Sequence, residues 1–384
     1  MKVNQIYEIM NSVTNEVLGK SDVVKEDLTN IADVGTEIFD SASVDNYVKS
    51  LVNHIGKVIF VDRPYQGDIP SIMMDSWEFG SILEKVHAEL PTASETNDWN
   101  LENGKSYSTD IFYQPKVSAK FFNKKVTFEV DLSFTEKQVK ESFSNSNQLN
   151  GFLTMLYNAV DKSMTIKIDS LVMSTINNMA AETIYNEYSD GVYTGKSGIR
   201  AINLLHEFNS KFEQTLTAEK AITNPEFIRY ASMRIALVSN RMSKISTLFN
   251  LGGKEKFTPS DMQKIVMLTD FKVGADSYLQ SELFHEKYTA LPNCDTVPYW
   301  QGSGTDYDFS SISKINVKTS SGHDVEIDGI IAVIFDRDSV GVANLDRRVT
   351  TSYNAKAEFY TNFYKFDAGY FNDTNENYVV FFVK

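Results

Sequence analysis

The sequence has one cysteine, Cys294, among 384 residues, so neither an intrachain disulfide framework nor a cysteine-based zinc site is open to it. Its five histidines, at 54, 87, 206, 285 and 323, are scattered and lack metal-ligand spacing. Long hydrophobic runs are missing as well. The two longest, residues 330–335 and 379–383, fall far short of the roughly 20 apolar residues a membrane helix needs, and no membrane span is expected. The amino terminus, Met1-Lys2-Val3-Asn4-Gln5-Ile6, has neither the apolar run nor the small-residue cleavage site of a secretory signal, so no export is expected. Positive charge is in short supply: 37 Lys and Arg stand against 51 Asp and Glu, a formal net charge of −14. Gripping phosphate backbones or anionic lipid needs clustered cations, and this composition argues against both.

Catalytic and metal motifs fail in detail. His206-Glu207 opens a zincin pattern, but Ser210 stands where the second histidine is required. Asp336-Arg337-Asp338 begins like a calcium loop with Gly341 at the sixth position, yet Val340 fills a ligand place and Arg347 replaces the closing glutamate. A strand-to-strand turn explains those aspartates. Gly302-Ser303-Gly304 lacks the flanking spacing of a serine nucleophile elbow. Asp306 with Asp308, or Glu326 with Asp328, are carboxylate pairs that solvated turns and strands explain as well as acid–base chemistry does. No catalytic, cofactor-binding or metal-binding residue is assigned, and no enzyme is expected.

What the chain does have is a long spine. Residues 146–188 contain no proline, and Leu149, Leu153, Leu156, Val160, Met164, Ile168, Leu171, Ile176, Met179, Ile184 and Tyr188 recur mostly three or four apart, which places them on one helical face. At 1.5 Å per residue this is a rod of roughly 60 Å, too long for an ordinary compact domain to cover, so other segments or other copies must cover it. The length of the chain predicts two or three domains.

Around the spine the remaining segments fall into a recognisable order. The first fifty residues read as short helices that have little core of their own, followed by a short buried strand at 58–61. Residues 82–90 alternate with period two, and a matching strand is expected at 125–132, giving a long hairpin whose polar tip, residues 92–109, carries Trp99. An isolated hairpin is marginally stable, so it must lie on a neighbouring surface. After the spine come helices starting near Ile199 and at Asn224-Pro225, a buried strand at 265–268, a helix from Ala275, a structured loop from Leu291 to Thr305, and a central strand from Ile327 to Phe335 with Val340-Gly341-Val342 as a short partner. The tail is strand-rich and aromatic, with Tyr353, Phe359, Tyr360, Phe363, Tyr364, Phe366, Tyr370, Phe371, Tyr378, Phe381 and Phe382. Such a set is either a sheet core and interface or a stacking platform for sugars or bases.

This order of an arm, a hairpin, a spine helix, a mixed domain and a returning sheet resembles the tailed-phage major capsid proteins of the HK-ninety-seven type, and most closely those of small short-tailed phages of Gram-positive hosts. The stretches that carry the likeness are Ile31-Ala32-Asp33-Val34-Gly35, Ser50-Leu51-Val52-Asn53-His54-Ile55-Gly56, Tyr278-Leu279-Gln280 leading to Phe284-His285, Val297-Pro298-Tyr299-Trp300-Gln301-Gly302-Ser303-Gly304 and Ala332-Val333-Ile334-Phe335-Asp336-Arg337-Asp338. The resemblance implies an α+β fold with an N-terminal arm at 1–56, an extended loop at 77–131, a peripheral domain with the spine helix made of 57–76, 132–199 and 344–384, and an axial domain at 200–343. It implies a virion protein, assembled in the host cytoplasm, that joins copies of itself as pentamers and hexamers of an icosahedral shell. A scaffolding protein and a portal protein would be its partners, and the shell would enclose double-stranded DNA without sequence-specific binding. On this reading Trp99, Phe121, Phe122 and Trp300 are the expected intersubunit residues. A carbohydrate-binding or glycan-cleaving protein, using the aromatic tail and a carboxylate pair, is the competing expectation.

Overall fold

The computed structural model describes residues 72–74, 82–96, 98–107, 110–135, 146–281, 294–302 and 307–384. The expected helices of the first fifty residues, the strand at 58–61, and His54, Phe284, His285 and Asp306 lie outside these. In chain order the described elements are strands β1 (Met73–Met74), β2 (Leu83–Ala88), β3 (Val117–Phe122) and β4 (Lys125–Thr135), helix α1 (Ser146–Glu187), strand β5 (Ala201–Asn203), and helices α2 (Leu204–Phe212), α3 (Ala218–Ala221) and α4 (Pro225–Met242). Then follow β6 (Gln263–Leu268), α5 (Thr269–Ser281), β7 (Asp295–Val297), α6 (Phe309–Ile312), β8 (Ile315–Lys318), β9 (Asp324–Ile327), β10 (Ile330–Asp336), β11 (Val340–Asn354), β12 (Phe359–Asn372) and β13 (Tyr378–Phe382). The spine is thus one helix of 42 residues, about 63 Å long. Two compact units form: one contains 129–135, 146–166 and 347–365, and the other contains the remaining described residues.

The larger unit is built on a five-stranded mixed sheet in the order β5-β13-β10-β6-β7. β10 runs antiparallel to both β13 and β6, while β5 and β7 add in parallel at the edges. Side chains alternate across it. Tyr378, Val380 and Phe382 pack with Val172, Ile176 and Ile184 of α1, whereas Val379, Phe381 and Val383 pack with Phe208 of α2 and Phe227 and Ile235 of α4. A strand covered on both faces needs apolar residues at every position, so 330–335 and 379–383 read as continuous hydrophobic runs. Each such side chain contributes about 1.5–3 kcal/mol by leaving water. The helices on the second face are set by their caps: Asn224 Oδ1 accepts from the N–H groups of Glu226 and Phe227 at 2.9 and 3.1 Å, with Pro225 in the first turn.

Several expected elements are placed differently. The strand expected from Ile327 to Phe335 is two strands, broken at Gly329, whose φ is +85° and where a Cβ would meet the Val383 carbonyl oxygen at 2.2 Å. Only glycine allows that approach. Val340-Gly341-Val342 is not a short partner of β10 but the start of the 15-residue β11, in a second sheet ordered β1-β11-β12-β4. The helix expected from Ile199 begins only after β5. The loop from Leu291 contains β7, and the β8–β9 hairpin is a further element. β13 is an inner strand of the main sheet, paired with β5 on one side and β10 on the other.

In the smaller unit the distal parts of β4, β11 and β12 are joined by polar cross-strand pairs. Ser133 and Thr361 hydroxyls lie 2.8 Å apart, Thr351 donates to Asn362 Oδ1 at 2.7 Å, and Lys365 meets Glu129 at 3.5 Å. The Tyr353 and Tyr360 rings meet across the turn, tilted by 38° with centroids 4.6 Å apart.

Candidate intersubunit hairpin

The hairpin forms, with a different second strand from the one expected. β2 pairs antiparallel with β3, in a register that sets Leu83 opposite Phe122, Lys85 opposite Lys120, and Val86 opposite Ala119. The segment expected as its partner, 125–132, is part of β4 and lies in the β1-β11-β12-β4 sheet. Both segments alternate with period two, and periodicity alone does not choose between them. What distinguishes β3 is the chemistry of its inner face, where Lys120 shares a counter-charge with Lys85.

That counter-charge is Asp373, whose side chain is 4% exposed. Lys120 Nζ donates to its Oδ1 at 3.0 Å and Lys85 Nζ to its Oδ2 at 3.3 Å. Lys120 also reaches Thr374 Oγ1 at 3.2 Å, and Lys85 donates to the carbonyl of Asp338. Asp373 is itself held by the N–H of Asn375 at 3.1 Å, and its own N–H donates to the Ser339 carbonyl at 2.7 Å. Burial works to raise the Asp373 carboxyl, but the bond from Lys120, the Asn375 N–H and the charges of Lys85 and Lys120 outweigh it and hold it below the ordinary carboxylate range. Beside the ion cluster, the Phe122 ring meets Phe371 at 5.2 Å, and Lys85 lies 4.9 Å from the centre of the Phe371 ring. Farther along the hairpin, Glu89 pairs with Lys254 at 3.1 Å.

The charged face therefore points inward and the apolar face outward. Ile82, Val86, Leu90, Val117 and Phe121 are all more than half exposed on the outer side, and at the tip Trp99, Leu101, Phe112 and Tyr113 are exposed to between 77% and 84%. These residues form an exposed apolar row along the outer face and tip of the hairpin.

Of the four expected intersubunit residues, Trp99 and Phe121 lie in this surface. Phe122 points to the other face, against Phe371. Trp300 is a core residue and not a surface anchor: it is 1% exposed, its indole N–H donates to the Ile330 carbonyl at 2.8 Å, and its own carbonyl accepts from Asn177 Nδ2 at 2.6 Å. Of the aromatic tail, Phe366, Phe371, Tyr378, Phe381 and Phe382 are buried in the core and so are not available for stacking on a sugar, while Tyr353 is 46% exposed. The carboxylates of the alternative reading have local partners, Glu326 with Lys314 and Asp328 with Lys384. Glu207, beside His206, is bound by Arg234 at 2.8 Å, Tyr230 at 3.1 Å and Ser197 at 3.1 Å. Asp336 accepts from Thr258 Oγ1 at 2.7 Å and from the Asp338 N–H at 2.9 Å, as a turn residue does.

The family model for the Phi29-like phage major capsid protein matches residues 10–382. The chain belongs to that family. Two solved structures share the fold of this capsid protein: the capsid structure of Staphylococcus phage Andhra, at 7% identity and a TM-score of 0.54, covering 86% of this chain and 87% of that one, and a chain in the structure of head fiber and inner core protein gp22 of native bacteriophage P68, at 10% identity and 0.54, covering 86% and 88%. No curated protein matches. The capsid protein is a component of a phage virion, built from many copies of itself, and its family is structural and not a class of enzyme. Nothing in these likenesses supports a carbohydrate-active protein. No described helix is long and apolar enough to cross a membrane.

Proposed function

We propose that the capsid protein closes into an icosahedral shell of pentamers and hexamers around the double-stranded DNA of a tailed phage, assembling in the host cytoplasm with a scaffolding protein and a portal protein. In this reading residues 1–56 are an arm lying across neighbours, and 77–131 are the extended loop laid over the adjacent subunit. The spine helix and the β11–β12 strands belong to the peripheral domain, and residues 200–343 together with β13 make the axial domain at the five-fold and six-fold centres. The observation that carries it is the hairpin whose apolar face and aromatic tip are turned away from its own chain. A second copy of the chain is the occupant that an obligate assembly supplies, and such interfaces commonly bury about 2,000–5,000 Å². The net charge of −14 suits a wall that encloses DNA without the phosphate contacts that would hold it fast.

The test is negative-stain electron microscopy of the chain expressed alone and with a candidate scaffold. Closed shells, curved sheets, or rings of five or six are expected; uniform small particles in both samples would overturn the reading. Deleting residues 97–103 at the hairpin tip is expected to leave the monomer's far-UV circular dichroism and melting temperature unchanged and to weaken shell formation. Normal shells from the deletion would remove the tip from the interface.

A further inference from the structure

We propose that Asp373 is a latch that holds the hairpin against its own subunit, and that the hairpin swings outward about residues 123–124 when this carboxylate no longer bridges Lys85 and Lys120. The inference concerns the regulation of the hairpin and rests on its reading as an intersubunit element. Lys85 and Lys120 are directly opposed across β2 and β3, and like charges in that position destabilise a strand pair. One buried anion, 3.0 and 3.3 Å away, turns the repulsion into a bridge. Asp373 is anchored to the body at both ends, through its N–H to Ser339 and its Oδ1 to the Asn375 N–H. It acts as the fixed plate and the two lysines as the bolt.

Little else holds the hairpin down. A two-stranded unit has marginal stability of its own, and its apolar face points away from the body. Among the described residues the other attachments are the Phe122–Phe371 contact, the bonds from Lys120 to Thr374 and from Lys85 to the Asp338 carbonyl, the Glu89–Lys254 pair, and, at the pivot, the Tyr370 N–H donating to the Lys124 carbonyl at 3.1 Å. Asp373 and the two lysines are the charged part of this attachment, and its loss is expected to leave the apolar face freer to move.

The latch has a pH sense. The charged groups around Asp373 are Lys85, Lys120 and, on the same hairpin face, His87; Arg337 and Asp338 in the β10–β11 turn; and Glu376 on its own turn, paired with Lys256 at 2.8 Å. The Asp373 pKa is lowered in the folded chain. Its contribution is therefore full above the ordinary carboxylate value of about 4 and is lost as pH falls through the lowered pKa. At neutral pH the latch is closed, and acid opens it.

Hydrogen exchange of the full chain, kept unassembled by dilution, reads this directly. In Asp373→Asn the amides of residues 83–88 and 117–122 are expected to exchange at least tenfold faster, while those of β10 and β13 are unchanged. Adding Lys85→Met to Asp373→Asn removes one of the facing cations and is expected to restore part of the protection. Lys120→Gln, which leaves the body untouched, keeps the test open if Asp373→Asn fails to fold, and several-fold faster hairpin exchange is expected from it. Unchanged hairpin exchange in Lys120→Gln, or no recovery in the double variant, overturns the latch. After correction for intrinsic rates, acidification should release the wild-type hairpin and leave the hairpin of Asp373→Asn, which has no carboxylate to protonate at this position, exchanging as it does at neutral pH. Because every readout is taken on unassembled chain, the latch stands or falls separately from the intersubunit reading.

Discussion

Replacing Trp300 with alanine is expected to cost about 3–5 kcal/mol, the largest single loss of stability foreseen for this chain. The indole fills the core on the α1 side of the main sheet, so its removal leaves a cavity that packed neighbours close only in part. It also strands the Ile330 carbonyl, which accepts the indole N–H at 2.8 Å, next to the irregular register between Ile330 and Ala332. A buried acceptor without a donor costs about 1–3 kcal/mol on its own, which is why Trp300→Phe is also expected to destabilise, though less. A domain holds only about 5–15 kcal/mol in total, so the alanine variant should unfold at a urea concentration about 1 M lower or more. Urea titration followed by circular dichroism decides it, and a midpoint equal to wild type would contradict the core role.

Trp300 also shows where sequence reading ends. A tryptophan after Pro298-Tyr299 in a loop is equally suited to a neighbour's surface and to its own core. The choice is made by Ile330 and Asn177, which periodicity cannot bring beside it. The main sheet was legible because strands covered on both faces must be apolar throughout, and residues 330–335 and 379–383 are. The spine was legible as a long stretch without proline, which folds as one helix of 42 residues. The placement of β13 beside β5 was not legible, since a parallel pair between residues 201–203 and 380–382 joins segments far apart in the chain.

The hairpin shows a different limit. Alternation along 82–90 separates two faces correctly but does not say which one is buried. The ordinary rule puts Lys85 and Lys120 in water and Val86 and Phe121 inside. Here Asp373, 288 residues beyond Lys85, draws the lysines inward, and the apolar residues are left facing out. The inversion on which the proposed interface rests exists only once the buried carboxylate is placed.

Introducing aspartate at Val86 and Phe121 together is therefore expected to abolish shell formation while sparing the fold. Both side chains are more than 60% exposed, and substitutions at such positions usually change stability by less than about 0.5 kcal/mol. Their inner-face neighbours, Lys85 and Phe122, keep Asp373 and Phe371, so the hairpin stays where it is. In an assembled contact the same two positions would have to bury unpaired carboxylates, and anchors of this kind each contribute about 2 kcal/mol or more. A loss of about 4 kcal/mol per contact corresponds to roughly a thousandfold weaker association. On the proposed reading each subunit of a shell makes the contact, so the concentration needed for closure should rise beyond any reached in expression. Light scattering and negative-stain images should then show only small particles, with a melting temperature like that of wild type before assembly. Shells of normal yield from V86D/F121D would mean that the outward apolar face meets nothing, and the hairpin would lose its place in the interface.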